Sequence, residues 1–397
     1  MAEAPSPYRP GMGLEPPYLG DRDRQLERFR GSLADRSQPH NVLVIGLRGV
    51  GKTVLLHHYS QEAEDEGWLV VEREFSEADA EPDLFARTLL SDLLDLTHRL
   101  SRSKRVRDAA GRLAQSALDF LGTLSVSYSG IEVGLRGGRH PARPHRRFDD
   151  DLREAFTQVG ELCRRSEHPG VMLRYDEFHA VEERRGQLTI SALLAALAAV
   201  QQRGIPIGMV LCGLPALQEN LARSKSYSER MFTIERLGNL RPPEDRAALI
   251  DPAVRHGRRF ADEVVEAVMA DTAGYPFFIQ LYGDQLWKGA RGQTIADRDL
   301  DRLRPEILRI LDASFFESRF LRAAPYEQRL LHLIAAQGES ATLEQLQFRS
   351  GWRNNQLQPA LRRLTQKGLV HRPSRGNVAF AVPMFGAYLR RRAADSN

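Results

Sequence analysis

The sequence predicts an α/β fold: a parallel sheet with helices on both faces, then a run of helices, then a small module of three helices and a hairpin. Three observations predict it. Up to about residue 240, apolar runs of strand length alternate with segments of helical period. One such run, Val42 to Ile45, passes without a break into a glycine-rich turn and a lysine. After Arg241-Pro242-Pro243-Glu244 the strand signals stop and helical periodicity takes over.

Residues 1–16 are rich in Pro and Gly and are expected to be flexible. Leu26 and Phe29, three apart, open a helix. Val42 to Ile45 lacks polar alternation, as a parallel strand covered on both faces should. A helix from Lys52 turns Val54, Leu55 and Tyr59 inward and ends at Gly67, and Trp68 to Phe75 is the next strand. Leucines across 83–123 mark helical pieces, split by the basic stretch Ser101 to Arg107. Alternation over 124–135 predicts a hairpin, and 137–147 is a basic loop that either contacts nucleic acid or is simply solvated. Together these make an insertion over about 97–148.

Asp149 to Arg165 is helical through Leu152, Phe156, Val159 and Leu162, and Val171 to Glu177 is a strand closed by two carboxylates. Ile190 to Gln202 is an apolar helix, Ile207 to Cys212 a strand, and Met231 to Ile234 a last short strand. Helices follow over about 244–250, 262–272, 276–287 and 299–320, the last broken or restarted at Pro305. The expected divisions are 1–16, 17–240, 241–322 and 323–397.

Composition narrows the function classes. Cys163 and Cys212 are the only cysteines, each in or beside an apolar stretch, which argues against a disulfide framework and for a reducing compartment. No run approaches the roughly 18 uncharged apolar residues of a membrane span, and a cytoplasmic location is the expectation. Net charge is +4, but residues 321–397 hold twelve Lys/Arg against four Asp/Glu, a net +8 that suggests an acidic partner.

Gly46, Gly51, Lys52 and Thr53 fit G-x-x-x-x-G-K-[ST], the phosphate-binding P-loop. Its glycines, Gly49 included, let backbone N–H groups curl around a polyphosphate while the next helix turns its positive end, Thr53-Val54, toward the same anion. Lys52 then reaches the β/γ-phosphates of ATP and Thr53 holds Mg²⁺. Asp176 and Glu177 close their strand as a Walker B pair, the first supporting Mg²⁺ and the second orienting or deprotonating the attacking water.

These motifs resemble the AAA+ ATPases of the origin-recognition/cell-division-control type and the STAND-related P-loop ATPases close to them. The resemblance implies a P-loop NTPase sheet with a helical lid, ATP and Mg²⁺ as ligands, and assembly on nucleotide binding. Pro17-Tyr18-Leu19-Gly20 is similar to the segment that lies beside the adenine. Cys212-Gly213-Leu214-Pro215 falls where a polar sensor residue is common in the family, and this chain offers only Cys212 or Gly213. Tyr227 to Phe232 resembles the arginine-finger segment, which implies that Arg230 acts on a neighbouring subunit's γ-phosphate. Gly274-Tyr275-Pro276 stands where initiators carry a second sensor and resembles the Gly-x-Pro of STAND ATPases, whose proline, here Pro276, packs near the nucleotide.

The C-terminal module looks like a winged helix. Thr342-Leu343-Glu344-Gln345 fits a capping box, Leu357, Leu361 and Leu364 form one stripe, and Pro359 marks the expected first position of the third helix. Arg362, Arg363, Gln356 and Gln366 lie off that stripe, and Arg372 and Arg375 flank the wing tip, suited to groove and phosphate contacts with duplex DNA. Winged helices also dock on protein. The expected function is an ATP-dependent switch, either DNA-associated or a STAND-like signalling or scaffold ATPase.

Overall fold

The computed structural model describes residues 5–11, 13–35, 40–102, 106, 107, 115, 117–119, 148–181 and 189–395. The hairpin expected over 124–135 and the basic loop over 137–147 lie outside them. The chain forms two compact units, one of residues 24–45 and 55–236, the other of 1–23, 46–54 and 237–397.

The first unit is built on a five-stranded sheet of β1 (Asn41–Gly46), β2 (Leu69–Glu74), β3 (Val171–Asp176), β4 (Ile207–Gly213) and β5 (Thr233–Leu237), in the order β2-β3-β4-β1-β5. The β2–β3, β3–β4 and β4–β1 pairs are parallel. Every residue of β1 and β4 is buried, which is why neither sequence alternates. In β3 the one unusual residue, Arg174, sits in register with Glu72 of β2 and pairs with its carboxylate at 2.6 Å.

Helices α1 (Asp23–Ala34) and α2 (Lys52–Asp65) meet through Phe29 stacked on Tyr59, centroids 4.2 Å apart. Helices α3 (Pro82–Ser101), α4 (Phe148–Arg165) and α5 (Ile190–Gln201) fill the core with Leu89, Leu93, Phe156, Leu193 and Leu197. α5 is apolar nearly all round and correspondingly buried. After α6 (Ala216–Ser224), Met231 ends the short helix α7 (Ser228–Met231), so the strand expected at Met231 to Ile234 begins later and runs further. The pattern misleads there because β5 turns a carboxylate inward: Glu235 is buried and accepts a hydrogen bond from Arg28.

The second unit carries α8 (Glu244–Arg255), α9 (Asp262–Thr272), α10 (Pro276–Gly289) and α11 (Asp297–Leu311), then a π-helical turn over Asp312–Phe316 and α12 (Glu317–Leu321). Strand structure does not stop at residue 241. β6 (Arg259–Phe260) and β7 (Thr294–Ile295) pair in parallel, too short to leave a period in the sequence. Nor does Pro305 break its helix: the irregularity falls at the π turn. Asp301 and Pro305 both lie on the exposed face, so the carbonyl that loses its partner can meet water.

The flexible N-terminus expected over 1–16 fails at Tyr8. Its ring is buried edge-on to Phe260 at 6.4 Å, and its hydroxyl donates to the Leu249 carbonyl.

The C-terminal region has α13 (Pro325–Ala335), β8 (Ser340–Thr342), α14 (Leu343–Ser350), α15 (Asn354–Gln366), β9 (Val370–His371), β10 (Asn377–Phe380) and α16 (Phe385–Asp395), its strands ordered β8-β10-β9. The capping box is present, Gln345 N donating to Thr342 Oγ1 at 3.1 Å and Thr342 N to Gln345 Oε1 at 2.8 Å. α15 starts at Asn354, not at Pro359, which again lies on an exposed face together with Asn355. The division expected near Ala323 does not separate compact units. Phe316 of the π turn stacks on Phe385 and Tyr388 of α16, and Arg391 pairs with Asp312 at 2.6 Å.

Candidate active site

β1 delivers the chain into a loop whose shape depends on glycine at three positions. At Gly46 an added Cβ would stand 2.5 Å from the Leu237 carbonyl oxygen. Gly49 and Gly51 have φ of +81° and +88°, in the left-handed region that other residues avoid. An added Cβ at Gly51 would meet nothing within 4 Å, so this side of the loop is open, as an anion cradle requires. Lys52 begins α2; its side chain is buried and Nζ donates to the Leu47 carbonyl at 3.0 Å, which holds the ammonium over the loop. Thr53 is exposed in the first helical turn, where its hydroxyl can reach a cation, and Val54 behind it is half-buried. Loop and helix start fit a bound nucleoside polyphosphate with its divalent cation.

Two residues of the same unit brace this loop. Arg22 is buried and donates to the Val50 carbonyl at 3.1 Å. Tyr275 is fully buried, donates its hydroxyl to the Arg48 carbonyl, and leaves no room for a side chain at Gly49, where a Cβ would fall 2.0 Å from Tyr275 Oη. Burial pushes the Tyr275 hydroxyl up to about 12, so it remains a donor at neutral pH. Gly274, at φ +73°, lets the chain pass the Leu240 carbonyl, which a Cβ would approach to 2.1 Å. Pro276 occupies the first turn of α10, half-buried, next to the tyrosine that makes the contact.

Tyr18 donates to Glu244 Oε2 at 2.6 Å, and this bond, with burial, pushes its hydroxyl up to about 12. Leu19 beside it is half-buried.

In the first unit, β3 ends at Asp176, buried, whose Oδ1 accepts from Glu177 N at 2.7 Å. Glu177 takes φ +49°, a left-handed turn that redirects its side chain at the strand end. His179 Nε2 stands 3.7 Å from the Glu177 carboxylate. His179 also packs closely on Gly213, where an added Cβ would come to 3.1 Å from its Cβ, backbone N and Nδ1, so a larger residue there would require His179 to shift. Cys212 is buried and forms no disulfide. Since β1, β4 and β3 are parallel, their carboxyl ends lie along one edge of the sheet, where ligands of open α/β folds bind. Arg230 is exposed near the end of α7.

Arg362, Arg363, Arg372 and Arg375 are all exposed. Arg363 is engaged by Tyr326, its guanidinium 5.9 Å over the ring, and Arg372 donates to Gln358.

A buried parallel strand turning through a glycine loop into a lysine-led helix defines a P-loop NTPase fold. Residues 20–210 match the AAA ATPase domain family. Residues 313–389 match a domain of unknown function (DUF8462). Among solved structures, a Walker-type ATPase of Pyrococcus abyssi is 16% identical, with 98% of each chain covered and a TM-score of 0.60, a likeness of fold. ORC1 of Aeropyrum pernix in complex with DNA is 16% identical, covering 96% of this chain and 95% of that one at a TM-score of 0.45. RuvB of Thermotoga maritima is 14% identical, covering 97% and 98% at 0.42. No curated protein matches the chain.

Sequence reasoning missed Arg22 and Tyr275 as braces of the phosphate loop. Arg22 and Tyr275 sit inside segments already singled out, but their partners are backbone carbonyls distant in the chain. No helix among the described residues is long and apolar enough to cross a membrane.

Proposed function

We propose that the chain is an ATP-hydrolysing switch that assembles on nucleotide and engages duplex DNA through a C-terminal winged helix. The observation that carries the ATPase part is the loop itself: two left-handed glycines, an open cradle and a buried lysine held over it, within the segment that matches the AAA ATPase domain family. Lys52 neutralises the β/γ-phosphates, with Gly46, Gly49, Gly51, Thr53 and Val54 supplying backbone around them. Thr53 and Asp176 would hold Mg²⁺, which would lower the charge that water must approach. Glu177 takes a proton from the attacking water, and Tyr18, Leu19 and Pro276 flank the nucleoside. Arg230, exposed and one residue from the end of its helix, serves the site of a second copy.

A STAND-like signalling reading is favoured by one observation, the Tyr275 hydroxyl on the Arg48 carbonyl, which ties the Gly-Tyr-Pro segment to the loop. In that reading the C-terminal module docks on protein.

Phosphate release measured over a range of protein concentrations tests the proposal. Lys52→Ala should abolish ATP binding. Glu177→Gln should bind ATP within a few-fold of wild type and turn over about 100-fold more slowly, the scale of a lost general base. Turnover per molecule should rise with concentration in the wild type and stay low in Arg230→Ala. Full activity in Lys52→Ala would remove the site assignment, and a concentration-independent rate would remove the trans role of Arg230.

A further inference from the structure

Arg319 lies in α12, one residue before the buried Phe320 and just past the π turn. Its guanidinium carbon stands 3.5 Å over the Phe315 ring, and Nη1 donates to the Phe315 carbonyl at 3.2 Å. Nε is buried and has no hydrogen-bond partner. Among the described residues no carboxylate pairs with it, whereas Arg391 and Arg392 on α16 are paired with Asp312 and Glu317. The groups acting on Arg319 are the Tyr275 hydroxyl, which favours its charge, and the cations Arg322 and Arg48, which oppose it. Burial and these two cations push its guanidinium down to about 10, far below the ordinary value for arginine.

A half-buried guanidinium with an orphaned donor, two cationic neighbours and no paired carboxylate among the described residues is short of an anion. Its position says which. Phe315, beneath Arg319, packs edge-on against Tyr275 at 6.1 Å, and Tyr275 holds the Arg48 carbonyl at the phosphate loop and fills the space over Gly49. One contiguous stack therefore runs from the loop to the π turn, a helical irregularity of the kind found at functional sites.

We propose that Arg319 is a phosphate-binding residue of this nucleotide site, contributed by the segment that leads into the C-terminal module. The proposal rests on the ATPase reading above and adds to it. A polyphosphate on the loop supplies the missing counter-charge, and the pairing draws α12 toward the nucleotide. Because Phe316 stacks on Phe385 and Tyr388, the packing of α16 then depends on nucleotide state.

The test is equilibrium binding of fluorescent ATP and ADP to the full chain, with thermal melting of each variant without nucleotide. Arg319→Met keeps an apolar stem over Phe315 and removes the charge, while Arg319→Lys keeps a cation. Arg319→Met should lose about tenfold or more in ATP affinity, a scale set by one charge-assisted hydrogen bond, with its nucleotide-free melting temperature close to wild type. Arg319→Lys should retain affinity within a few-fold, and the wild type's binding should weaken more steeply with salt than that of Arg319→Met. If Arg319→Met binds both nucleotides as wild type does while Lys52→Ala binds neither, the inference falls and the ATPase reading stands. If wild type itself binds no nucleotide, both fall.

Discussion

At Gly49 a single hydrogen atom in place of a methyl group decides the state of the phosphate loop. The left-handed backbone alone costs a non-glycine residue about 1–2 kcal/mol. The Cβ would also displace the Tyr275 hydroxyl, which lies 2.0 Å from its position. Gly49→Ala is therefore expected to lower the melting temperature and to weaken ATP binding, because moving Tyr275 releases the Arg48 carbonyl. Gly51→Ala carries the same backbone strain with open space beside it, so its thermal penalty should be the smaller of the two. Differential scanning fluorimetry with and without ATP separates them, and equal penalties would show that Tyr275 is not a brace. The glycines and Lys52 were legible in the sequence because a phosphate loop is specified by local spacing. Tyr275 was not, because it acts through the Arg48 carbonyl, distant in the chain from its own motif.

Elements were legible where burial imposes a period or abolishes one. β1, β3 and β4 read as strands because both faces are covered, and α4 because its apolar stripe keeps a helical step. Two kinds of element escaped. β6 and β7 hold two residues each and have no period to read. Prolines misled twice: Pro305 and Pro359 sit inside helices on their solvent faces, where the carbonyl that loses its partner is open to water and the break does not occur. The capping box at Thr342 shows the opposite case, a local signal that the structure reproduces atom for atom. Thr342→Ala removes the acceptor for Gln345 N and should cost about 1 kcal/mol. Chemical denaturation should place the midpoint lower with an unchanged slope; no shift would mean the helix start is held by β8 pairing with β10 instead.

Across the whole molecule charge is the property most unevenly distributed, and it bears on the choice between DNA and protein as partner. Residues 321–397 carry a net +8 in a chain whose total is +4. Not all of that charge is available for a ligand. Arg391 and Arg392 are paired with Asp312 and Glu317, Lys367 with Glu327, Arg363 with the Tyr326 ring, and Arg372 with Gln358. Arg362 and Arg375 are exposed and have no side-chain partner among the described residues, so a phosphate backbone could meet them without first breaking a contact. If the module binds duplex DNA, each phosphate contact releases counterions, and affinity must fall steeply with salt. Arg362→Ala with Arg375→Ala should weaken binding to all sequences alike and make the salt dependence shallower by about one to two units on a log–log plot. Arg363→Ala should do less, since its guanidinium is already engaged by Tyr326. Fluorescence anisotropy of labelled duplex with the full chain, at several salt concentrations and with ATP present, measures both quantities. Absence of binding at low salt would exclude duplex DNA as the partner, and the same two arginines would then be expected to govern contact with an acidic protein surface.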